Sequence, residues 1–266
     1  MATAPRRAWV RCLAPLATVA VLVLVPACGV ARLWEPSREQ VLERILPSAV
    51  QVVLEQQEDR RYRAGSGVAI AARAAPGGTE CFVLTAGHTV SGARGRRGIY
   101  VLFGQQAGVA TKARADVVAH RDTPHVDLAI LRAETDQCSP ARPGAPPVLG
   151  EPVWVLAFPW GRQMTLTSGI VSQVSLDGAD RQPPARLMVD ALVGYGSSGG
   201  GVFEARTGRL IGIIEGYNTA RVTAQGTGPS WYIDVPMPGQ TFVTPLSEIR
   251  RFLAEIGQAD LFAEAG

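Results

Sequence analysis

Lysine is nearly missing from this 266-residue chain: Lys112 is the only one, and arginine supplies the remaining basic charge. Histidine and cysteine are also scarce, with three and four copies. None of them falls into a C-x-x-C or H-E-x-x-H spacing, so no zinc site, no other metal and no cofactor is expected. The N-terminal apolar stretch from Cys12 to Val25 has 14 residues. As a helix it would reach about 21 Å, short of the roughly 30 Å core of a bilayer. An excess of one charge is absent too. Three of the 26 basic residues (Arg6, Arg7 and Arg11) lie in the first 27 positions, which hold no acid. The remaining chain therefore carries 23 basic and 23 acidic residues, and nucleic acid is not an expected partner.

The N-terminal arginines followed by a short apolar run read as a secretory signal over residues 1–27. Val25-Pro-Ala-Cys28 resembles a bacterial lipoprotein cleavage site, which would place a lipid on Cys28 and tether the protein to a membrane through residues 28–36. The alternative is ordinary cleavage near Ala27 with no lipid. Either way the protein is expected to be exported to the cell envelope, the periplasm. Cys12 leaves with the signal and Cys28 would carry the lipid, so Cys81 and Cys138 remain. In an oxidising compartment they form one disulfide or stay as two buried thiols.

Gly196-Ser-Ser-Gly-Gly200 is the most informative stretch. Glycines two before and two after Ser198 allow a tight turn that exposes a hydroxyl beside outward-facing N–H groups, which suits a nucleophile. The same spacing fits the elbow of an α/β-hydrolase. Histidine order separates the two. His88, His120 and His125 all precede Ser198, whereas that fold needs a histidine after its serine. The order Asp…His…Ser fails as well, because Asp59 is the only aspartate before His88 and sits in a charged run. The order His…Asp…Ser survives. His88 emerges where the apolar run Cys81-Phe-Val-Leu-Thr85 breaks at Ala86-Gly87. Asp127 opens the apolar run Leu128–Leu131, where a carboxylate is costly to bury without a hydrogen-bond partner. An imidazole N–H is the natural one. Asp122 is the second candidate.

Ser37 to Leu46 reads as a helix with a Ser37/Gln40 capping box, ended by Pro47. From Ala49 onward the chain is short Val- and Ile-rich runs cut by Gly, Pro and Asp, which predicts an all-β fold. The Pro-rich segment 139–147 divides it. Expected domains are an N-terminal helix and first β-sandwich or barrel over 37–138, a second over 148–245 and a closing helix over 246–258. Residues 218–240 read as a long loop.

Thr85-Ala-Gly-His88, Val126-Asp-Leu-Ala-Ile-Leu131 and Gly196-Ser-Ser-Gly-Gly200 together resemble the trypsin-like serine endopeptidases, in particular the bacterial HtrA (Deg) branch. The resemblance implies two six-stranded antiparallel β-barrels with the active site in the cleft between them. It implies a triad of His88, Asp127 and Ser198, with an oxyanion hole from the N–H groups of Gly196 and Ser198. Leu192, Glu215 and Tyr217 would line the substrate pocket, and the substrates would be proteins or peptides with a small or apolar residue before the cleaved bond. Members of this branch often carry a PDZ domain after the protease, and none is expected here. Two positions depart from the usual pattern. Ser197 replaces an Asn or Asp, and Gly201 replaces a Pro, which is expected to loosen the hole. The alternative reading is a pseudoprotease that binds without cleaving.

Overall fold

Turn residues at Gly77 and glycine-rich breaks elsewhere cut the β-branched runs into twelve strands, which close into two barrels. The computed structural model describes residues 35–57, 60–91, 98–105, 108, 110–123, 126–174, 187–224 and 231–262. The expected signal over residues 1–27, the lipid site Cys28 and nearly all of the tether lie outside these residues, as does His125. Within Pro36–Gly266 the first barrel contains β1 (Ala49–Gln57), β2 (Arg60–Ala75), β3 (Gly78–Thr85), β4 (Gly98–Phe103), β5 (Thr111–Asp122) and β6 (Asp127–Glu134). The second contains β7 (Pro152–Ala157), β8 (Thr165–Val174), β9 (Leu187–Val189), β10 (Gly201–Glu204), β11 (Leu210–Ala224) and β12 (Trp231–Pro245). Every pairing is antiparallel. The strand orders are β1-β2-β3-β6-β5-β4 and β7-β8-β9-β12-β11-β10, so the two barrels repeat one topology. Closure removes free edges from both.

Each barrel has its own apolar filling. Val52, Leu54, Val83, Val101, Phe103 and Leu131 pack inside the first, and Val153, Val155, Val171, Val189, Ile211 and Val243 inside the second. A third cluster joins the barrels: Val68, Leu84 and Leu128 meet Leu156, Phe158 and Phe203. Helix α1 (Arg38–Ile45) adds Val41 and Ile45 to it. The Ser37 Oγ accepts from the Gln40 N–H and the Gln40 side chain accepts from the Ser37 N–H at 2.9 Å, the reciprocal cap that the sequence predicts. Helix α3 (Leu246–Glu255) adds Ile249, Phe252 and Leu253 to the same cluster. The Pro-rich connector is pinned to both barrels, through Ala141 N–H to the Ala69 carbonyl and Gly144 N–H to the Leu210 carbonyl, each 2.8 Å.

Residues 218–240 correct the expectation of a loop. β11 and β12 stay paired out to Ala224 and Trp231, so their described residues form a long two-stranded ribbon. Thr219, Val222, Thr223, Tyr232, Ile233 and Val235 favour extended backbone more than the local Gly and Pro content disfavours it. An Arg221–Asp234 ion pair at 2.9 Å crosses the ribbon. Cys81 and Cys138 are joined in a disulfide. It sits at one end of the β3–β6 ladder, whose other end pairs Thr85 with Ala129, next to His88 and Asp127.

Candidate active site

The site begins where β3 stops. Ala86 is extended, and residues Gly87–Val90 form one helical turn, α2, that carries His88 off the strand. Gly87 lies so close to β5 that a Cβ there would meet the Arg121 carbonyl oxygen at 1.9 Å and Asp127 Oδ1 at 3.0 Å. Only glycine fits. Asp127, the first residue of β6, uses both oxygens on one partner. Its Oδ1 accepts the His88 backbone N–H at 2.7 Å and its Oδ2 faces His88 Nδ1 at 2.6 Å. The Asp127 side chain is 12% exposed and that of His88 is 41% exposed. The hydrogen bond to Asp127 raises the His88 pKa above the ordinary 6.5; burial opposes the shift, and the charges of Asp127 and Asp122 add to it. A proton held on Nδ1 by Asp127 leaves Nε2 with its lone pair free. Asp122 bonds Ser91 Oγ instead of the imidazole. His120 stands exposed on β5.

Ser198 lies in the loop between β9 and β10. Ser66, a fully buried residue of β2, organises this loop from below. Its N–H donates to the Ser198 carbonyl at 2.9 Å, and its Oγ donates to the Gly196 carbonyl at 2.8 Å while accepting the Phe158 N–H at 2.8 Å. Its own carbonyl accepts from Thr85 Oγ1 at 2.7 Å. Sequence reading misses this role, whose one signal is a hydroxyl between two glycines in an apolar run. Gly199 presses on the end of β3: a Cβ there would meet Thr85 Oγ1 at 2.4 Å and Ala86 N at 2.9 Å. That contact brings Ser198 beside the segment that carries His88.

The turn before Ser198 is closed by Ser197 N–H to the Gly194 carbonyl at 3.0 Å. Gly196, its third residue, has φ +87°, whereas Tyr195 is not among the residues with positive φ. Those signs define a type II turn. The Tyr195 carbonyl is held by the Trp160 N–H at 2.6 Å, so the Gly196 N–H on the far side of the same planar peptide points the other way. Among the described residues, the N–H groups of Gly196 and Ser198 have no acceptor. The site thus holds two unpaired donors next to a half-buried hydroxyl.

The two departures resolve in different ways. Ser197 is 1% exposed, and its Oγ accepts the Gly194 N–H at 3.3 Å, so it braces the turn from inside. Gly201 does not loosen the segment. It is paired with Leu156 on one side and Ile213 on the other, and a Cβ there would meet the Phe203 ring at 2.5 Å.

Leu192 is 64% exposed, an open apolar surface instead of a closed pocket floor. Glu215 is half-buried where the register of β11 against β12 shifts. Tyr217 meets Tyr195 edge-on at 5.9 Å, and Tyr195 meets Trp160 at 5.1 Å. Burial first, then Tyr195, pushes the Tyr217 pKa up to about 12.

Comparison with known proteins points the same way. A family model described as "Trypsin-like peptidase domain" matches residues 65–213. The chain is 29% identical to a Serine protease HTR4 of Bos taurus over 167 residues, which is 60% of this chain and 30% of that protein. The chain therefore spans about a third of that relative's length. Its fold resembles the serine endoprotease from Yersinia pestis (21% identity, TM-score 0.60, covering 83% of this chain and 66% of that one). It also resembles the HtrA-type protease AlgW with tripeptide (22% identity, TM-score 0.61, covering 84% of this chain and 65% of that one).

Proposed function

The chain belongs to the trypsin-like peptidase domain family, with HtrA relatives, and on that footing we propose that it is a serine endopeptidase. Ser198 Oγ attacks the carbonyl carbon of a peptide bond while His88 Nε2 takes its proton. Asp127 holds the imidazole in the tautomer with the proton on Nδ1 and stabilises the imidazolium. Collapse of the tetrahedral intermediate expels the amine, which takes the proton from His88, and leaves an acyl-enzyme on Ser198. Water activated by His88 then releases the acid and restores the hydroxyl. The Gly196 and Ser198 N–H groups stabilise the oxyanion in both steps.

The observation that carries this reading is the type II turn at Gly196, which leaves its N–H open in the Ser198 loop, together with the clamping of His88 by Asp127. A collapsed hole would have turned the Tyr195–Gly196 peptide over, so the geometry favours an enzyme over a pseudoprotease. Leu192, Tyr217 and Glu215 surround the entry to the proposed substrate pocket, and the exposed leucine supports a small or apolar residue before the cleaved bond.

The protein acts in the cell envelope in this reading, after removal of residues 1–27, with Cys28 as the lipid site. The Cys81–Cys138 disulfide supports an oxidising compartment. A fluorophosphonate probe tests the chemistry. Stoichiometric labelling that disappears in Ser198→Ala is expected, and a folded protein that never labels would refute it. Intact-mass analysis of the membrane-extracted protein tests the anchor, with a mature N-terminus at a residue other than Cys28 as the refuting result.

A further inference from the structure

A cleft of about 370 Å³ opens between the first barrel and the segment that follows Trp160. Gln51 of β1, Arg61 of β2 and Gln105 line one side, and Gly161, Arg162 and Gln163 line the other. The lining contains two arginines and no acid. Among the described residues neither Arg61 nor Arg162 pairs with a carboxylate. Arg61 Nη1 donates to the Gly161 carbonyl at 3.2 Å, so this side chain reaches across the cleft.

Gln51 supplies the second, independent sign of a ligand. It is 1% exposed, and its Oε1 accepts from Gln105 Nε2 at 2.8 Å. That bond uses the carbonyl end and leaves Gln51 Nε2 a buried donor with no partner among the described residues. The nitrogen sits against Gly161, where a Cβ would lie 3.4 Å from it. A buried donor stays costly until an acceptor reaches it. Two guanidinium forks and an unsatisfied amide N–H, with no acid in the lining, match a carboxylate in charge and hydrogen-bond direction.

We propose that this cleft is a binding site for a peptide carboxylate, and that its occupancy steadies Gly161 and, through it, the Trp160 N–H that holds the Tyr195 carbonyl. Peptide is favoured over a small inorganic anion because the cleft adjoins the turn at Tyr195 and Gly196, where a peptide would cross the site. The binding does not depend on hydrolysis; its effect on the turn rests on the peptidase reading.

The test uses the full chain carrying Ser198→Ala, with the peptide Ala-Ala-Glu-Glu bearing a free terminus as probe and amidated Ala-Ala-Gln-Gln as its neutral twin. Titration calorimetry should show saturable binding of the acidic peptide alone. Affinity should fall at least about tenfold in Arg162→Gln and in Arg61→Gln. Both arginines are exposed, so neither change threatens the fold. Equal binding of the two peptides, full affinity in the double variant, or tighter binding of inorganic phosphate would each overturn the proposal. In the active protein, two further arms identify the source of the carboxylate. If the free acidic peptide raises kcat on an ester lacking residues beyond the cleaved bond, the carboxylate comes from a separate molecule. If substrates with Glu or Gln beyond that bond differ in kcat/KM and the free peptide competes, it belongs to the substrate. Peptide binding without hydrolysis of any substrate would sink the peptidase reading and leave this site standing.

Discussion

The Trp160 N–H donates to the Tyr195 carbonyl at 2.6 Å, and this bond sets the direction of the Gly196 N–H. Trp160 is also the only non-glycine residue with positive φ among the described residues, at 58°. Such a conformation typically costs about 1–3 kcal/mol and persists where surrounding contacts enforce it. Here Gly161 follows with φ +62°, and the Trp160 ring rests on Tyr195 at 5.1 Å. Strain is therefore concentrated in the residue that orients one of the two proposed oxyanion donors.

Trp160→Gly and Trp160→Ala separate the backbone from the ring. Both remove the contact with Tyr195, but glycine accepts positive φ freely, whereas alanine keeps a penalty of about 1–2 kcal/mol. The glycine variant should retain the higher kcat, by about fivefold to thirtyfold if that whole penalty falls on the competent turn. Steady-state peptide hydrolysis and fluorophosphonate labelling rates both report it. Equal losses in the two variants would show that the ring alone matters.

Gly196 and Ser197 should respond very differently to alanine. A Cβ on Gly196 would meet Trp160 N at 2.8 Å and the Phe158 carbonyl oxygen at 2.9 Å, at a φ of +87°. The turn must then change type, and one of the proposed oxyanion donors is lost. Such a loss costs about 100- to 1000-fold in kcat. Ser197→Ala removes one neutral hydrogen bond to the Gly194 N–H, worth about 0.5–1.5 kcal/mol. Its kcat should fall less than about tenfold. Circular dichroism checks that both variants stay folded.

These contrasts also mark what the chain discloses before it folds. The spacing of His88, Asp127 and Ser198 is legible because side-chain chemistry is written in residue type. The all-β class is legible because Val- and Ile-rich runs alternate with glycine and proline, whereas the two barrels follow from the family resemblance. Ser66 and Trp160 are not legible, since they act on the backbone of residues far away in sequence, Ser66 through its Oγ and N–H and Trp160 through its N–H, which leaves no periodic trace. The ribbon at 218–240 was hidden for another reason. Its β-branched and aromatic residues are interleaved with Gly and Pro, whose turn-forming character masks the extended pairing of Thr219–Ala224 with Trp231–Pro236.

In the proposed mechanism the acid limb of kcat/KM reports His88. Its folded pKa is raised chiefly by the Asp127 hydrogen bond, against burial, so the limb should have its midpoint above 6.5. In Asp127→Asn that bond and charge vanish while burial remains, so the midpoint should move downward. Loss of the correct tautomer should also cut kcat by about 10⁴-fold, as for a comparable triad. The linkage to stability has a definite sign. A raised folded pKa means that His88 stabilises the fold fully below its unfolded value, and that this contribution is lost as pH rises through the folded value. Thermal melts of wild type and Asp127→Asn across that window check it, with the difference between them expected to shrink as pH rises.

The disulfide offers a test of how far the N-terminal barrel supports the proposed triad. Cys81 and Cys138 are separated by 57 positions. Restricting a loop of that size in the unfolded chain is worth up to about 4 kcal/mol by chain entropy. Cys81→Ser with Cys138→Ser should therefore lower Tm clearly, and reductant should do the same to the wild type. The bridge lies at the end of the β3–β6 ladder away from His88, and the ladder keeps its backbone pairs from Cys81–Ala133 through Thr85–Ala129 without it. Below the lowered Tm, kcat should thus stay within about threefold of wild type, a barrier change under 1 kcal/mol. A large loss of kcat in a variant that remains folded would mean that the bridge itself sets the His88–Asp127 geometry.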